Sequence, residues 1–388
     1  MMRIGLISGE YPPMQGGIST QTRLLAEKLA HEGHDVFVLS GLGARERVKG
    51  VSLHRIPNWG TGSVRQVVRW AREHQLDVVN MHYQTAAYNM SPFIHFLPDA
   101  LRGTAPFITT FHDLRFPYLF PKAGPLRDWI VMRLARASTG VVATNQEDEM
   151  QLAFHPRQML IPIASNVLTE TASVASARLH VRAIRDSDMV LAFFGFVNRT
   201  KGLEDLLASM VELRQQGIMA KLLMIGEKSG SSDPTNIAYA KEIDRKIIEH
   251  GLNSSSSDMN GQVHWTGFVS DDDDLRALLT TADAVVMPFR DGASYRRSSM
   301  IVAIHMGCAI VTTTPVVDVP AFKHDENLLL VPPNNVPALT DALIRLYNNP
   351  SLRQTLRNGA LELSAEFSWE RVTRSYVDFY RKIIGDTA

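Results

Sequence analysis

The sequence predicts an α/β protein made of two doubly wound domains, each with its own parallel sheet and core. Three observations predict it. The chain opens as a strand at 3–8, a glycine loop and a helix over about 20–32; the strand pattern lapses between Val167 and Asp188 into small and polar residues and then restarts; and residues 282–314 repeat the order strand, loop, helix, strand. Parallel strands joined by helices are covered on both faces, so they read as continuous apolar runs. At 388 residues, 45% hydrophobic and 21% charged, the chain has length for roughly two or three such domains.

Forty basic and forty acidic side chains cancel, so the charge balance points to no nucleic-acid partner. The single cysteine, Cys308, excludes an intrachain disulfide framework and a Cys-based zinc site, and it suits a reducing compartment. Residues 1–8 are too short and too lightly charged for a signal peptide, and no apolar run reaches membrane-spanning length. The expectation is a cytoplasmic protein.

In the first half, the loop GEYPPMQGGIST at 9–20 carries Gly16 and Gly17. They let a ligand approach the backbone, and the following helix offers unpaired N–H groups to an anion; a lone glycine pair is equally well a tight turn. Strands follow at 51–56 and 77–81, with a helix over 63–74 between them, and the second leads into His82, Tyr83 and Gln84. A strand at 106–111 delivers His112 and Asp113 into a loop, where a histidine taken alone is more often structural than functional. Residues 115–137 place Arg127, Arg133 and Arg136 beside Trp129 to Met132. That pattern suits a lipid or acceptor surface, or a core helix with a solvated basic face, which is the commoner case. Strands at 141–144 and 159–163 close this half.

The second half restarts with a strand at 189–194, the loop GFVNRTKG at 195–202, a helix at 203–214 and a strand at 221–225 ending on Gly226. Lys201, after a strand and before a helix, is placed to meet a phosphate. A polar loop at 226–236, a helix at 237–250, a serine-rich turn at 254–257 and a short strand at 263–266 follow. The run Asp271 to Asp274 could suggest a metal, but adjacent carboxylates diverge, and a negatively charged helix start is the better reading. Next come a strand at 284–287, a loop hinged on Gly292, a helix at 300–306 stopped by Gly307 and a strand at 309–313. Ligands of open parallel sheets sit outside the carboxyl ends of strands. There the loop carries Asp291, Ser294, Arg296, Arg297 and Ser298 just before a helix, and guanidiniums, hydroxyls and free N–H groups suit a diphosphate. The segment 327–333, a helix at 336–348 and a last helix from Phe367 to about 384 end the chain.

These motifs resemble the family 4 glycosyltransferases of the GT-B fold along essentially the whole chain. The carriers are EYPPxxGG at the start, TFHD at 110–113, PIxSN at 162–166, GFVNRTKG against the family's GRLxxxKG, VHWTGFV against its F-x-G-x-V, and DGASYRRSSMIVAIHMGCAIVTT. The last is similar to a variant of the family's donor motif. The usual motif has two glutamates, whose places counted back from Gly307 fall on Ser294 and Val302, and Phe196 stands where the family's loop arginine would be.

The resemblance implies two Rossmann-like domains facing an interdomain cleft: an acceptor-binding domain at 1–170, a linker at 171–188, a nucleotide-sugar domain at 189–365, and a helix at 366–388 crossing back onto the first. It implies a retaining, metal-independent transferase that moves a sugar from a nucleotide-diphosphate donor to a glycan, lipid-linked or small acceptor, as in polysaccharide biosynthesis, with no further cofactor. The helix carrying Arg127, Arg133 and Arg136 leaves open a peripheral contact at the inner membrane face. Lys201 matches the family lysine, and Arg199 or the Arg296–Arg297 pair replaces the missing charge on the diphosphate. His112 faces the donor sugar. Gly16, Gly17, Asn198, Gly226, Phe268, Val269, Asp291, Ser294 and Ser298 are expected around the donor, the backbone at Phe268 and Val269 cradling its base. With both glutamates absent, two other readings stay open: a GT-B protein that binds nucleotide or glycan without turnover, and a sugar epimerase or phosphorylase on the same fold.

Overall fold

The computed structural model describes residues 1–14, 16–114, 124–167, 189–228, 234–252, 254–255 and 262–387. Backbone contacts divide the chain into two units, one of Met1–Asn166 with Glu366–Ala388 and the other of Val167–Ala365. The expected linker, the start of the aromatic and basic segment at 115–123, residues 229–233 of the polar loop and residues 256–257 of the serine-rich turn lie outside the described residues.

In the first unit the elements are β1 (Arg3–Ser8), α1 (Gly17–His31), β2 (Asp35–Gly41), β3 (Val51–Ile56), α2 (Ser63–Glu73), β4 (Val78–Tyr83), α3 (Leu97–Ala100), β5 (Phe107–Phe111), α4 (Gly124–Ala137), β6 (Gly140–Ala143), α5 (Gln146–Gln151) and β7 (Gln158–Leu160). The strands form one parallel sheet in the order β3-β2-β1-β4-β5-β6-β7. The order reverses between β1 and β4, the place where such sheets open a crevice. Register sets Ser8 beside His82, and His82 beside Thr110. β4 therefore runs two residues past the expected end at Met81, and His82 sits within the sheet instead of in the loop after it. Helix α1 begins before Thr20 because Ile18 is buried and Ser19 spends its hydroxyl on the Met14 carbonyl instead of capping the helix.

The second unit contains β8 (Met189–Phe194), α6 (Leu203–Gln215), β9 (Ala220–Ile225), α7 (Pro234–Glu249), β10 (Ser254–Ser255), β11 (Val263–Gly267), α8 (Asp272–Thr281), β12 (Ala284–Met287), α9 (Ser298–His305), β13 (Ile310–Thr313), β14 (Leu329–Val331), α10 (Val336–Asn348) and α11 (Pro350–Ser364). Its sheet, also parallel, has the order β10-β11-β9-β8-β12-β13-β14, with the reversal between β8 and β12. Helix α8 starts as the acidic run predicts: Asp271 caps it by accepting the Asp274 N–H at 2.9 Å. Helix α11 was not expected from the pattern. Asn349 caps it, proline opens it, and Leu352, Leu356, Ala360 and Leu363 form its buried stripe.

The last helix, α12 (Trp369–Thr387), belongs to the first unit. It packs on α1, donates from Trp369 Nε1 to the Ser165 carbonyl at 2.9 Å, and meets Asn80 of β4, whose Nδ2 donates to Tyr380 Oη at 2.7 Å. Gly140 makes room for it, since a β-carbon there would stand 2.8 Å from Ile383. Among the described residues no helix is long and apolar enough to cross a membrane.

Candidate functional site

The carboxyl ends of β11, β9, β8 and β12 lie side by side in the second unit, and each leaves the sheet through a glycine or a glycine-hinged loop. Gly195 follows β8 at φ 109°, Gly226 follows β9 at φ 118°, and a β-carbon on Gly226 would stand 3.6 Å from the Gly195 backbone. A carbon at that distance would make ordinary contact, so what calls for glycine at Gly226 is its positive φ, and the two strand ends run side by side. Gly226 N–H is held by the Gly267 carbonyl at 3.1 Å, which sets Phe268, 66% exposed, and Val269 along the same rim.

Lys201 lies at the centre of this rim. Its Nζ sits 5.4 Å from the centre of the Phe193 ring and where a β-carbon on Gly195 would be only 2.6 Å away. Among the described residues it has no carboxylate partner. Burial first, and then the like charge of Arg297, pull its pKa from the ordinary lysine range down to about 7. A buried ammonium without a counterion is costly, and such a group is commonly found where an anion is to be bound.

Arg297 comes from the loop after β12. It donates to the Asp291 carboxylate, lies with its Cζ 4.4 Å from the centre of the Phe289 ring, and reaches Thr200 Oγ1 at 3.4 Å. The same loop is tied to Thr200 a second time, through Arg290 N–H to the Thr200 carbonyl at 2.9 Å. The two loops are therefore one construction. Arg290 itself pairs with Glu204 at 3.2 Å and Asp205 at 3.6 Å and is spent on holding it.

The expected residues separate accordingly. Lys201, Arg297, Asp291 and Gly226 come together, and Ser294 accepts the Arg297 N–H on its carbonyl at 3.1 Å. Arg296 is half-buried and Ser298 is exposed at the start of α9. Asn198 is a turn residue: its Oδ1 accepts from Thr200 N at 3.1 Å and Thr200 Oγ1 at 2.8 Å. Arg199 is committed elsewhere. It pairs with Glu242 of α7 at 2.5 Å and covers the Tyr239 ring at 5.0 Å, so of the guanidiniums weighed for the missing charge, the one beside Lys201 is Arg297. Sequence reasoning could not see this, because Glu242 is forty-three residues away.

His112, Gly16 and Gly17 belong to the first unit. A β-carbon on Gly16 would meet a Glu10 carboxylate oxygen at 2.5 Å, whereas Gly17 is open. Burial raises the pKa of Glu10. His112 Nε2 lies 3.0 Å from His82 Nδ1, with the rings stacked at 5.2 Å and 27°. Burial lowers the pKa of His112 to about 4, and burial and then His112 lower that of His82 well below the ordinary value. Both rings are therefore neutral at pH 7. In α4, Arg133 pairs with Asp99 at 2.8 Å and stacks on Phe96, and Trp129 is 55% exposed.

Comparison with known proteins gives two family models in tandem: "Glycosyl transferase 4-like domain" over residues 16–159 and "Glycosyl transferases group 1" over residues 188–349. Phosphatidyl-myo-inositol mannosyltransferase of Mycolicibacterium smegmatis is 24% identical, covering 99% of this chain and 95% of that protein. Among solved structures, sucrose-phosphate synthase from Thermosynechococcus elongatus superposes with a TM-score of 0.76 at 19% identity over the whole of both chains. Anabaena HepE, in complex with UDP and glucose, gives 0.73 at 16% identity, covering 98% of this chain and 100% of that one.

Proposed function

This chain belongs to the family 4 glycosyltransferases of the GT-B fold, and we propose that it transfers a sugar, with retention of configuration, from a nucleotide-diphosphate donor held by Lys201 and Arg297. The observation that carries the reading is the buried Lys201 ammonium, which has no carboxylate among the described residues and has Arg297 as its charged neighbour. Lys201 lacks a counterion, and Arg297, although paired with Asp291, adds to the positive potential beside it, so the site favours an anion. The diphosphate gains charge as the glycosidic bond breaks, so cations fixed beforehand stabilise the transition state more than the bound donor.

The glycine backbones at Gly195 and Gly226 leave room for phosphate oxygens, and Phe268 and Val269 line the rim where a base would lie. With Lys201 and Arg297 neutralising the phosphates, the proposed mechanism routes no step through a metal. The leaving phosphate takes the acceptor's proton, so no protein base is required, and His112 interacts with the donor sugar as a neutral imidazole. The bound UDP and glucose of HepE support a nucleotide-sugar donor, and the mannosyltransferase named for phosphatidyl-myo-inositol supports a lipid-linked or glycan acceptor. The stacked arginine and the exposed Trp129 of α4 suit peripheral contact with a membrane surface carrying such an acceptor.

The test is donor hydrolysis and calorimetric binding across UDP-, GDP- and ADP-sugars, with Lys201→Ala and Arg297→Ala beside the wild type. Slow release of nucleotide from one donor, lost in both variants, supports the reading. Tight nucleotide binding with no turnover, acceptors included, replaces it with a non-catalytic binding protein.

A further inference from the structure

We propose that His82 is a positioning residue for His112, fixing through its Nδ1 both the ring orientation and the tautomer of the imidazole that meets the donor sugar. The inference rests on the proposed transferase reading for its catalytic meaning and on geometry for its substance.

His82 is 1% exposed within β4, and its Nδ1 is 3.0 Å from His112 Nε2. Two neutral rings at that distance share one proton. Either His82 donates, leaving His112 with its proton on Nδ1, or His112 donates and presents a bare Nδ1. In either arrangement the shared proton ties the orientation of one ring to that of the other. His82 Nε2 is buried with no hydrogen-bond partner among the described residues, and the residue lines a space of about 10 Å³, close to what one water needs. Gln21, Ile163, Trp369 and Tyr376 line the same space.

The backbone of His82 is fixed by pairing on both sides, to Ser8 and Thr110, and its neighbours are cross-linked. Thr110 Oγ1 donates to Asn80 Oδ1 at 3.0 Å, Asn80 Nδ2 donates to Tyr380 Oη at 2.7 Å, and the Tyr376 ring stands 6.3 Å from that of His82. Gln21 is pinned in turn by the Ala164 carbonyl at 2.5 Å. A buried ring fixed on this side can orient a second ring that reaches the surface.

Asparagine and glutamine separate this role from packing. Asparagine places an amide atom where Nδ1 of histidine lies, whereas glutamine, closer to histidine in size, places it where Nε2 lies. His82→Asn should keep turnover of the donor within about threefold of wild type, and His82→Gln should lower kcat by about 10- to 100-fold with KM little changed. Nitrogen-15 spectra of the His112 ring should show one neutral tautomer in wild type and His82→Asn, and a mixture in His82→Gln. Equal kcat loss in both variants with the His112 tautomer unchanged, or an active His82→Gln, overturns the proposal. If the wild type turns over no donor, the transferase reading fails alone, and the spectra decide the positioning: a single tautomer that survives only in His82→Asn supports it, and one that survives in His82→Gln overturns it.

Discussion

Gly195 and Lys201 occupy one space: the β-carbon that Gly195 lacks would lie 2.6 Å from the lysine Nζ. The missing side chain is what admits the buried ammonium to the carboxyl end of β8, and Arg297 then meets it from the loop after β12. Four expected outcomes follow.

Affinity for a nucleoside diphosphate should fall as pH rises above about 7. Burial and Arg297 bring Lys201 to about 7, and a bound dianion raises it again, so binding takes up a proton. Calorimetry at pH 8 in two buffers of different ionisation enthalpy reads that uptake directly. In Lys201→Arg the uptake should vanish, because a guanidinium stays protonated.

Protein stability should carry the mark of the same group. The folded pKa of Lys201 lies below its unfolded value, so between about 7 and 10.5 the unfolded chain holds the extra proton and stability from this group rises with pH. Urea unfolding of Lys201→Met should lose that slope and be more stable than wild type near pH 6. An unchanged slope means that the ammonium is solvated in the folded protein.

Arg297→Ala should weaken diphosphate binding by about 10- to 100-fold, the range of a lost charged hydrogen bond, while Arg199→Ala should change it less than about twofold. Asp291→Asn should fall between them, since it leaves Arg297 in place but loosens its orientation. Equal losses in Arg199→Ala and Arg297→Ala, read by calorimetry, contradict the assignment of the phosphate charge to Arg297.

Glycine to alanine changes should divide by what the new carbon meets. At Gly202, φ 64°, it would stand 2.0 Å from the Pro288 carbonyl oxygen, backbone that cannot give, and the loss should be about 2–4 kcal/mol. At Gly103, φ 72°, nothing lies within 4 Å, and only the dihedral cost of about 1 kcal/mol remains. At Gly195, φ 109°, the dihedral cost remains and the nearest atom is the mobile end of Lys201, so both stability and nucleotide binding should fall. Thermal unfolding and calorimetry on the three variants check the ranking.

Much of this protein was legible in its order of residues. Two restarting runs of apolar strands and helices specify two parallel sheets, because strands covered on both faces leave no alternation and need a helix to return. Lys201, Gly226 and the loop from Asp291 to Ser298 announced themselves by standing where strands end and helices begin. The acidic run at 271–274 was readable as a helix start because capping is a local matter, settled within three residues. What tertiary structure alone decided is which charge serves. Arg199 and Arg297 look alike in sequence, but Glu242 takes the first and Asp291 with Phe289 sets the second beside Lys201. His82 and His112 are likewise thirty residues apart and meet only because β4 and β5 pair in register. Electrostatic and hydrogen-bonding roles depend on distances of a few ångströms through space, and separation along the chain does not encode those until the strands have chosen their neighbours.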